Sequence, residues 1–151
     1  MTPYFETGDI QIYHGDAREV LSDLSVEATA CVTDPPYGLG DEPDPADVMR
    51  AWADGTDPDV GGGGFMGEDW DSFVPAPNTF EAIYGSLLPG APMLCFAGSR
   101  TADWMGMSLR FAGFERRDTI QYLFGSGFPK SLAIGKAIDD AKGAEREDLG
   151  P

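Results

Sequence analysis

The sequence is poor in the residues that most metal and nucleophilic sites depend on. Among its 151 residues it has one histidine, His14, and two cysteines, Cys31 and Cys95. A lone histidine makes zinc ligation and Ser-His-Asp chemistry poor readings. Neither cysteine has a CxxC partner, and each lies in an apolar, strand-like run. Both read as small buried hydrophobes, with neither metal nor disulfide implied. No apolar run approaches the roughly 18 residues of a spanning helix. The opening MTPYFETGD lacks the basic and apolar regions of a signal peptide. Positive charge is scarce as well: ten Lys and Arg face 26 Asp and Glu, for a net charge of −16. Such a chain repels a phosphate backbone, because affinity for nucleic acid comes largely from cationic contacts.

What is present bounds the rest. Hydrophobic residues make up 42% of the chain, enough for the core of one domain or part of one. The charge is uneven: residues 1–99 hold 18 acids against Arg18 and Arg50, whereas residues 100–151 hold eight of each sign. A nucleic-acid function would therefore use the neutral second part, a region outside this chain, or a medium whose salt screens the repulsion. Only three of the ten cations are lysine. That pattern fits a salt-adapted protein, and an acidic loop is the plainer account.

The hydrophobic periods predict an order of elements. Residues 10–14 (IQIYH) are strand-like, and residues 17–24 place Val20, Leu21 and Leu24 on one helical face. Residues 28–33 (ATACVT) form a short apolar run of the kind a buried parallel strand shows. Residues 38–77 have no clear period, carry ten acids against Arg50, and read as a long acidic loop with one helical turn around Val48, Met49 and Trp52. A helix follows, with Asn78 as N-cap and Phe80, Ile83, Tyr84, Leu87 and Leu88 on one face. Then come a buried strand at 92–98, a helix at 101–112 ended by Gly113, a strand at 115–124, a loop at 125–130 and a last helix capped by Ser131. The alternation predicts a parallel, three-layer α/β sheet.

The chemistry concentrates in Asp34-Pro35-Pro36-Tyr37, directly after the apolar run 28–33. In open α/β sheets ligands bind at the carboxyl ends of the strands. Two prolines stiffen the backbone there, so a carboxylate, a main-chain carbonyl and an aromatic ring are displayed in a fixed arrangement. Such a set suits a planar amino group on a ring: Asp34 and the Pro35 carbonyl accept its two N–H hydrogens while Tyr37 stacks on the ring face. The plainer alternative is a proline-stiffened turn with a solvated Asp34.

This tetrapeptide resembles the catalytic motif of the amino-methylating DNA methyltransferases, in the group whose catalytic half comes first. The resemblance extends to the lead-in IYHGDAREVLSDLSVEATACVTDPPYG, and to GEDWDSF (67–73), LLPG (87–90), FAGSRT (96–101), AGFERRD (112–118) and GSGFPKSLAIGKAID (125–139). It implies a Rossmann-like three-layer fold, S-adenosylmethionine as methyl donor, and double-stranded DNA as partner. Asp34, Pro35 and Tyr37 would hold a flipped-out adenine or cytosine, with Pro36 shaping the turn. Asp16 and Asp34 would be the carboxylates on the cofactor side, although Asp16 is equally an N-cap for helix 17–24. Arg100 and Lys130, in loops after strands, would meet DNA phosphates. The family implies a prokaryotic or viral restriction-modification setting, and with it a cytoplasmic location.

The sequence also departs from the family. Phe96-Ala97-Gly98-Ser99 and Phe124-Gly125-Ser126-Gly127 each approach the FxGxG cofactor loop, but neither has its spacing, and both read as turns. Relatives continue past the point reached by Asp148-Leu149-Gly150-Pro151. Residues 1–151 therefore resemble the catalytic half alone, in an incomplete fold without the target-recognition and FxGxG half. That leaves an inactive remnant or one chain of a split enzyme, completed by a second polypeptide, as alternatives. A binding module acting through acidic residues 41–71 and a methyltransferase of RNA or protein are further rivals. His14 reads as structural. Glu68, Asp69 and Asp71 read as a solvated turn, with Trp70 and Phe73 packing inward and no metal.

Overall fold

In the computed structural model, residues 1–61, 69–123, 125 and 134–143 are described. The chain divides into two compact units, residues 1–117 and 118–151. The first unit is a mixed α/β structure. It opens with β1 (Phe5–Thr7) and β2 (Ile10–Ile12), then α1 (Ala17–Leu24), β3 (Cys31–Thr33) and α2 (Pro45–Ala53). A single 3₁₀ turn, Asp69–Asp71, leads to α3 (Pro77–Gly85), β4 (Met93–Cys95) and α4 (Ala102–Phe111). The second unit contains α5 (Ile134–Lys142), which ends at Gly143 in the left-handed region at φ +61°.

Strand 10–14 does not enter a parallel sheet as expected. β2 pairs antiparallel with β1, Phe5 opposite Ile12, and both strands are exposed. The parallel pair is β3 with β4, in the register Cys31–Met93, Val32–Leu94 and Thr33–Cys95. A parallel bridge from Ala28 to Leu87 extends it toward the amino-terminal end. Met93 and Cys95 pack toward the helices, whereas Val32 and Leu94, on the alternate positions, are 69% and 55% exposed. Residues 115–123 are assigned no strand: Ile120, Tyr122 and Leu123 have the β-branched and aromatic character of one, but all three are exposed and no strand among the described residues includes them.

The acidic segment departs most from expectation. In place of one helical turn it holds the nine-residue α2, whose start is capped by Asp44 accepting from the Ala46 N–H at 2.8 Å, with Pro45 at the first position. Val48 and Trp52, one turn apart, are buried, and so are Phe73, Val74 and Ala76 further along. With Phe80, Trp104, Met105 and Ala112 they make the core. Trp52 and Trp104 meet edge to face at 5.8 Å, and Phe73 meets Trp104 at 5.7 Å. Most of the described acids of this segment are exposed, while five of its apolar residues lie in the core of the first unit. Trp52→Ala is therefore expected to cost about 3–5 kcal/mol of unfolding free energy in a urea titration. A loss under about 1 kcal/mol would mean that this segment lies outside the core.

Two smaller corrections bear on the site. α3 starts two residues earlier than expected: Pro77 is its first residue, and Ala76 precedes it without a side-chain cap. Asn78 instead donates to the Gly55 carbonyl at 2.8 Å, tying α3 to the turn after α2. Trp70 is 65% exposed rather than inward, while Phe73 is buried as expected. Ser131, the expected cap of the last helix, lies outside the described residues.

Candidate active site

β3 ends at Thr33, and Asp34-Pro35-Pro36-Tyr37 follows at the carboxyl end of the parallel pair, next to the end of β4. Asp34 is exposed, Pro35 through Tyr37 are half-buried and Gly38 is buried. The four residues are brought together as one group. The Tyr37 hydroxyl donates to Asp34 Oδ1, so the aromatic ring and the carboxylate are locked to each other across the two prolines. Partial burial, with that hydrogen bond as the second cause, pushes the Tyr37 phenol up to about 12. It stays protonated at neutral pH and can only donate to Asp34. Burial likewise pushes the nearby Cys95 thiol up to about 12 and raises that of Cys31, so neither is a thiolate nucleophile.

The backbone after Tyr37 is held from several directions. Asp71, 3% exposed, accepts at Oδ1 from the Tyr37 N–H at 2.8 Å and the Gly38 N–H at 3.1 Å. The Asp71 carbonyl accepts from the Leu39 N–H at 3.2 Å. Thr101, at the start of α4, makes no helix cap; its hydroxyl donates to the Tyr37 carbonyl. Arg100 Nη2 donates to the Gly38 carbonyl at 3.0 Å and the Gly40 carbonyl at 2.5 Å. Trp104 Nε1 donates to Glu42 Oε1 at 2.9 Å. Gly98 lies under Tyr37: a Cβ there would sit 3.4 Å from the Tyr37 Cβ, in ordinary contact.

A 41-residue stretch of the chain, 26% of it, is 44% identical to the Type II methyltransferase M.ScaI of Streptomyces caespitosus. The chain has a methyltransferase relative. The stretch covers 14% of that relative's length. No family model matches the chain, and no solved structure does.

The other expected site residues are placed as follows. Asp16 precedes α1 and caps it, accepting from the Arg18 N–H at 2.9 Å. Arg18 also closes a two-pronged ion pair on it, with Nη2 2.8 Å from Oδ2. The Arg18 side-chain bond, then its backbone bond, lower the Asp16 carboxyl from 3.8 to about 2. A carboxylate with a depressed folded value stabilises the fold above its unfolded value, and the gain is lost as pH falls from about 4 through 2. Asp16→Asn keeps the cap and removes the charge. Because the pair is about 40% exposed, wild type should exceed the variant by only about 0.5 kcal/mol at neutral pH, with the gap closing near pH 2. Urea titrations at pH 7 and pH 2.5 measure it; an equal gap at both would sever the link to Asp16.

Arg100 is turned onto the loop beside Tyr37, where its guanidinium braces the site from behind. Lys130 lies outside the described residues. Asp71 is not the solvated acid expected of its segment; it is buried and bonded to the turn after the tetrapeptide. Thr101 and Gly98 were likewise not among the expected site residues, although both lie in the FAGSRT segment that resembles the family; Thr101, expected as the first residue of a helix, stands just before it. His14 is exposed and lies beside Tyr4, ring centres 6.4 Å apart. Among the described residues no group of three or more His, Cys, Asp or Glu is placed to hold a metal ion, and no helix is long and apolar enough to cross a membrane.

Proposed function

We propose that this chain is the catalytic half of a site-specific DNA methyltransferase, built on a Rossmann-like scaffold, that methylates the exocyclic amino group of adenine or cytosine. The observation that carries the reading is the locked pair of Tyr37 and Asp34 at the carboxyl end of β3, in a chain with a Type II methyltransferase relative. Asp34 and the Pro35 carbonyl accept the two amino hydrogens of an extruded base, and Tyr37 packs on its face. Accepting both hydrogens leaves the nitrogen lone pair free to attack. The proton departs afterwards, so the site needs no base to start the reaction. Tyr37 already occupies one oxygen of Asp34, Oδ1, so a base enters by taking the second oxygen or by displacing the hydroxyl.

S-adenosylmethionine supplies the electrophilic methyl group when bound. A groove of about 330 Å³ beside β3, lined by Tyr13, Gly15, Val20, Val26, Cys31 and Thr33 among others, is of the size and character of a small apolar ligand site. An adenosine would lie against these walls, and Asp16, between Gly15 and Ala17 of the lining, would accept from ribose hydroxyls beside its bonds from Arg18. Asp34, one residue past Thr33, would face the methyl-bearing end. The described residues offer no evident partner for the amino-acid end of the donor, so the groove fits part of it.

A second reading has its own observation. The exposed Val32 and Leu94 face of a parallel pair favours one chain of a split enzyme, with a second polypeptide completing the sheet and the cofactor site. Arg100, in the loop after β4, would then meet a phosphate near the completed edge, and Lys130 is a second candidate for a phosphate contact. The test is transfer of labelled methyl from S-adenosylmethionine to duplex DNA of mixed sequence, at low and molar salt, followed by digestion to nucleosides. Label in N6-methyladenine or N4-methylcytosine supports the reading and chooses the base. A folded chain that transfers nothing at either salt overturns a self-sufficient enzyme and favours the split one.

A further inference from the structure

We propose that Asp71 is a positioning residue for the base-binding pair: it acts through the backbone of Tyr37 to set the ring against Asp34. The proposal rests on the reading of Asp34 and Tyr37 as a base site, and it names a third residue that the site requires. Asp71 lies 34 positions along the chain from Tyr37, between the exposed Trp70 and the buried Phe73-Val74 stretch, and its charged side chain is itself buried. Burying a carboxylate is unfavourable unless hydrogen bonds replace its water. Here the replacements are the N–H groups of Tyr37 and Gly38, both received by the same oxygen, Oδ1.

The arrangement grips one residue at both ends. Asp71 holds the Tyr37 N–H, and Thr101, from 64 positions away, holds the Tyr37 carbonyl. With its two flanking peptide planes fixed, residue 37 keeps only its side-chain torsions. Gly98 lies alongside, where an added Cβ would come only into ordinary contact with Tyr37, at 3.4 and 3.6 Å from its Cβ and Cδ2. The hydroxyl of the ring so placed donates to Asp34. Arg100 secures the carbonyls of Gly38 and Gly40, so the segment cannot swing away behind Tyr37. A carboxylate that served only to anchor its own loop could bond any backbone of the core. This one bonds the residue that carries the stacking ring and the glycine after it.

Because both bonds converge on Oδ1, an amide oxygen can replace it, which gives a specific test. Asp71→Asn should preserve the grip and Asp71→Ala should release it. Thr101→Val releases the other end of Tyr37 and serves if Asp71→Ala does not fold. Two readouts are taken on the full chain. The first is the ring and Cζ resonances of Tyr37 in tyrosine-labelled protein, assigned with Tyr37→Phe; it needs no substrate. Asp71→Asn should keep the wild-type shifts, while Asp71→Ala or Thr101→Val should move them toward those of a free tyrosine.

The second readout is methyl transfer to DNA. A displacement of about 1 Å can lower a rate about 100-fold, so Asp71→Ala should lower kcat by about that factor, with KM for S-adenosylmethionine unchanged and rescue by Asp71→Asn to within about fivefold. Wild-type ring shifts in Asp71→Ala, or a kcat that falls equally in the alanine and asparagine variants, would overturn the proposal. If wild type transfers no methyl group, the reading of this chain as a self-sufficient enzyme fails instead, and the ring resonances still decide whether Asp71 positions Tyr37.

Discussion

Asp34→Ala is expected to reduce methyl transfer on the order of 10³-fold while leaving the fold in place. The size follows from what is removed. A positioned acceptor that polarises the reacting amine contributes roughly 10² to 10⁴ in rate, and nothing else in the tetrapeptide carries a negative charge. The fold should be indifferent because Asp34 is exposed and its described side-chain partner is the Tyr37 hydroxyl, which can turn to water. Unfolding free energy should therefore change by no more than about 0.5 kcal/mol. Tyr37→Ala separates stacking from activation. Loss of a base–aromatic contact costs about 1–3 kcal/mol and should appear as weaker binding of DNA. Single-turnover transfer with labelled cofactor, run beside urea titrations of each variant, measures both. Wild-type turnover by a folded Asp34→Ala variant would remove Asp34 from the chemistry and with it the proposed mechanism.

The sequence was legible where local rules and tertiary structure agree. Apolar residues at helical spacing located α1 and α3, and Gly113, at φ +100°, follows α4 at the expected end of that helix. Short apolar runs located β3 and β4. Their parallel register then places Asp34 through Tyr37 at a strand's carboxyl end, as the run before the two prolines suggested. The N-cap role of Asp16 was also readable, because a carboxylate before an amphipathic helix has few better uses.

What could not be read depended on contacts across long separations or on charge masking a pattern. In residues 38–77 the acids hide a valid helix signal: Asp44-Pro45 is a capped start, and Val48 and Trp52 are one turn apart. Ten acids and five prolines made that segment look like solvent-facing loop, yet Val48, Trp52, Phe73 and Val74 within it are buried in the core. The opposite error occurred at 119–123, where strand-forming residues find no strand to pair with among the described residues. Propensity states what a segment would do beside a partner, and it says nothing of whether one is there. Asp71 is the clearest case within the site. Its neighbours Trp70 and Ser72 give no hint that it turns inward, because the reason lies in two N–H groups of Tyr37 and Gly38.

Gly38→Ala should be among the most damaging small changes in the chain, and a second glycine supplies the control. Gly38 has φ +71°, where a side chain strains the backbone, and a Cβ there would lie 3.0 Å from the Phe73 Cα and 3.1 Å from the Val74 N. Those are backbone atoms in the buried Phe73-Val74 stretch, so no rotamer change relieves the contact. Gly55 has the same φ, +71°, with nothing within 4 Å of its Cβ position. Gly55→Ala should thus show the conformational cost alone, about 1 kcal/mol. Gly38→Ala adds the displacement of packed backbone, for a total on the order of 2–4 kcal/mol. It also pulls the Gly38 N–H from Asp71 Oδ1, so the surviving folded molecules should transfer methyl groups more slowly, whereas Gly55→Ala should leave turnover unchanged. Urea titrations of the two variants isolate the clash as their difference. Equal costs would mean that residues 38–40 do not rest on Phe73 and Val74, and that the turn beside Tyr37 is held by its hydrogen bonds alone.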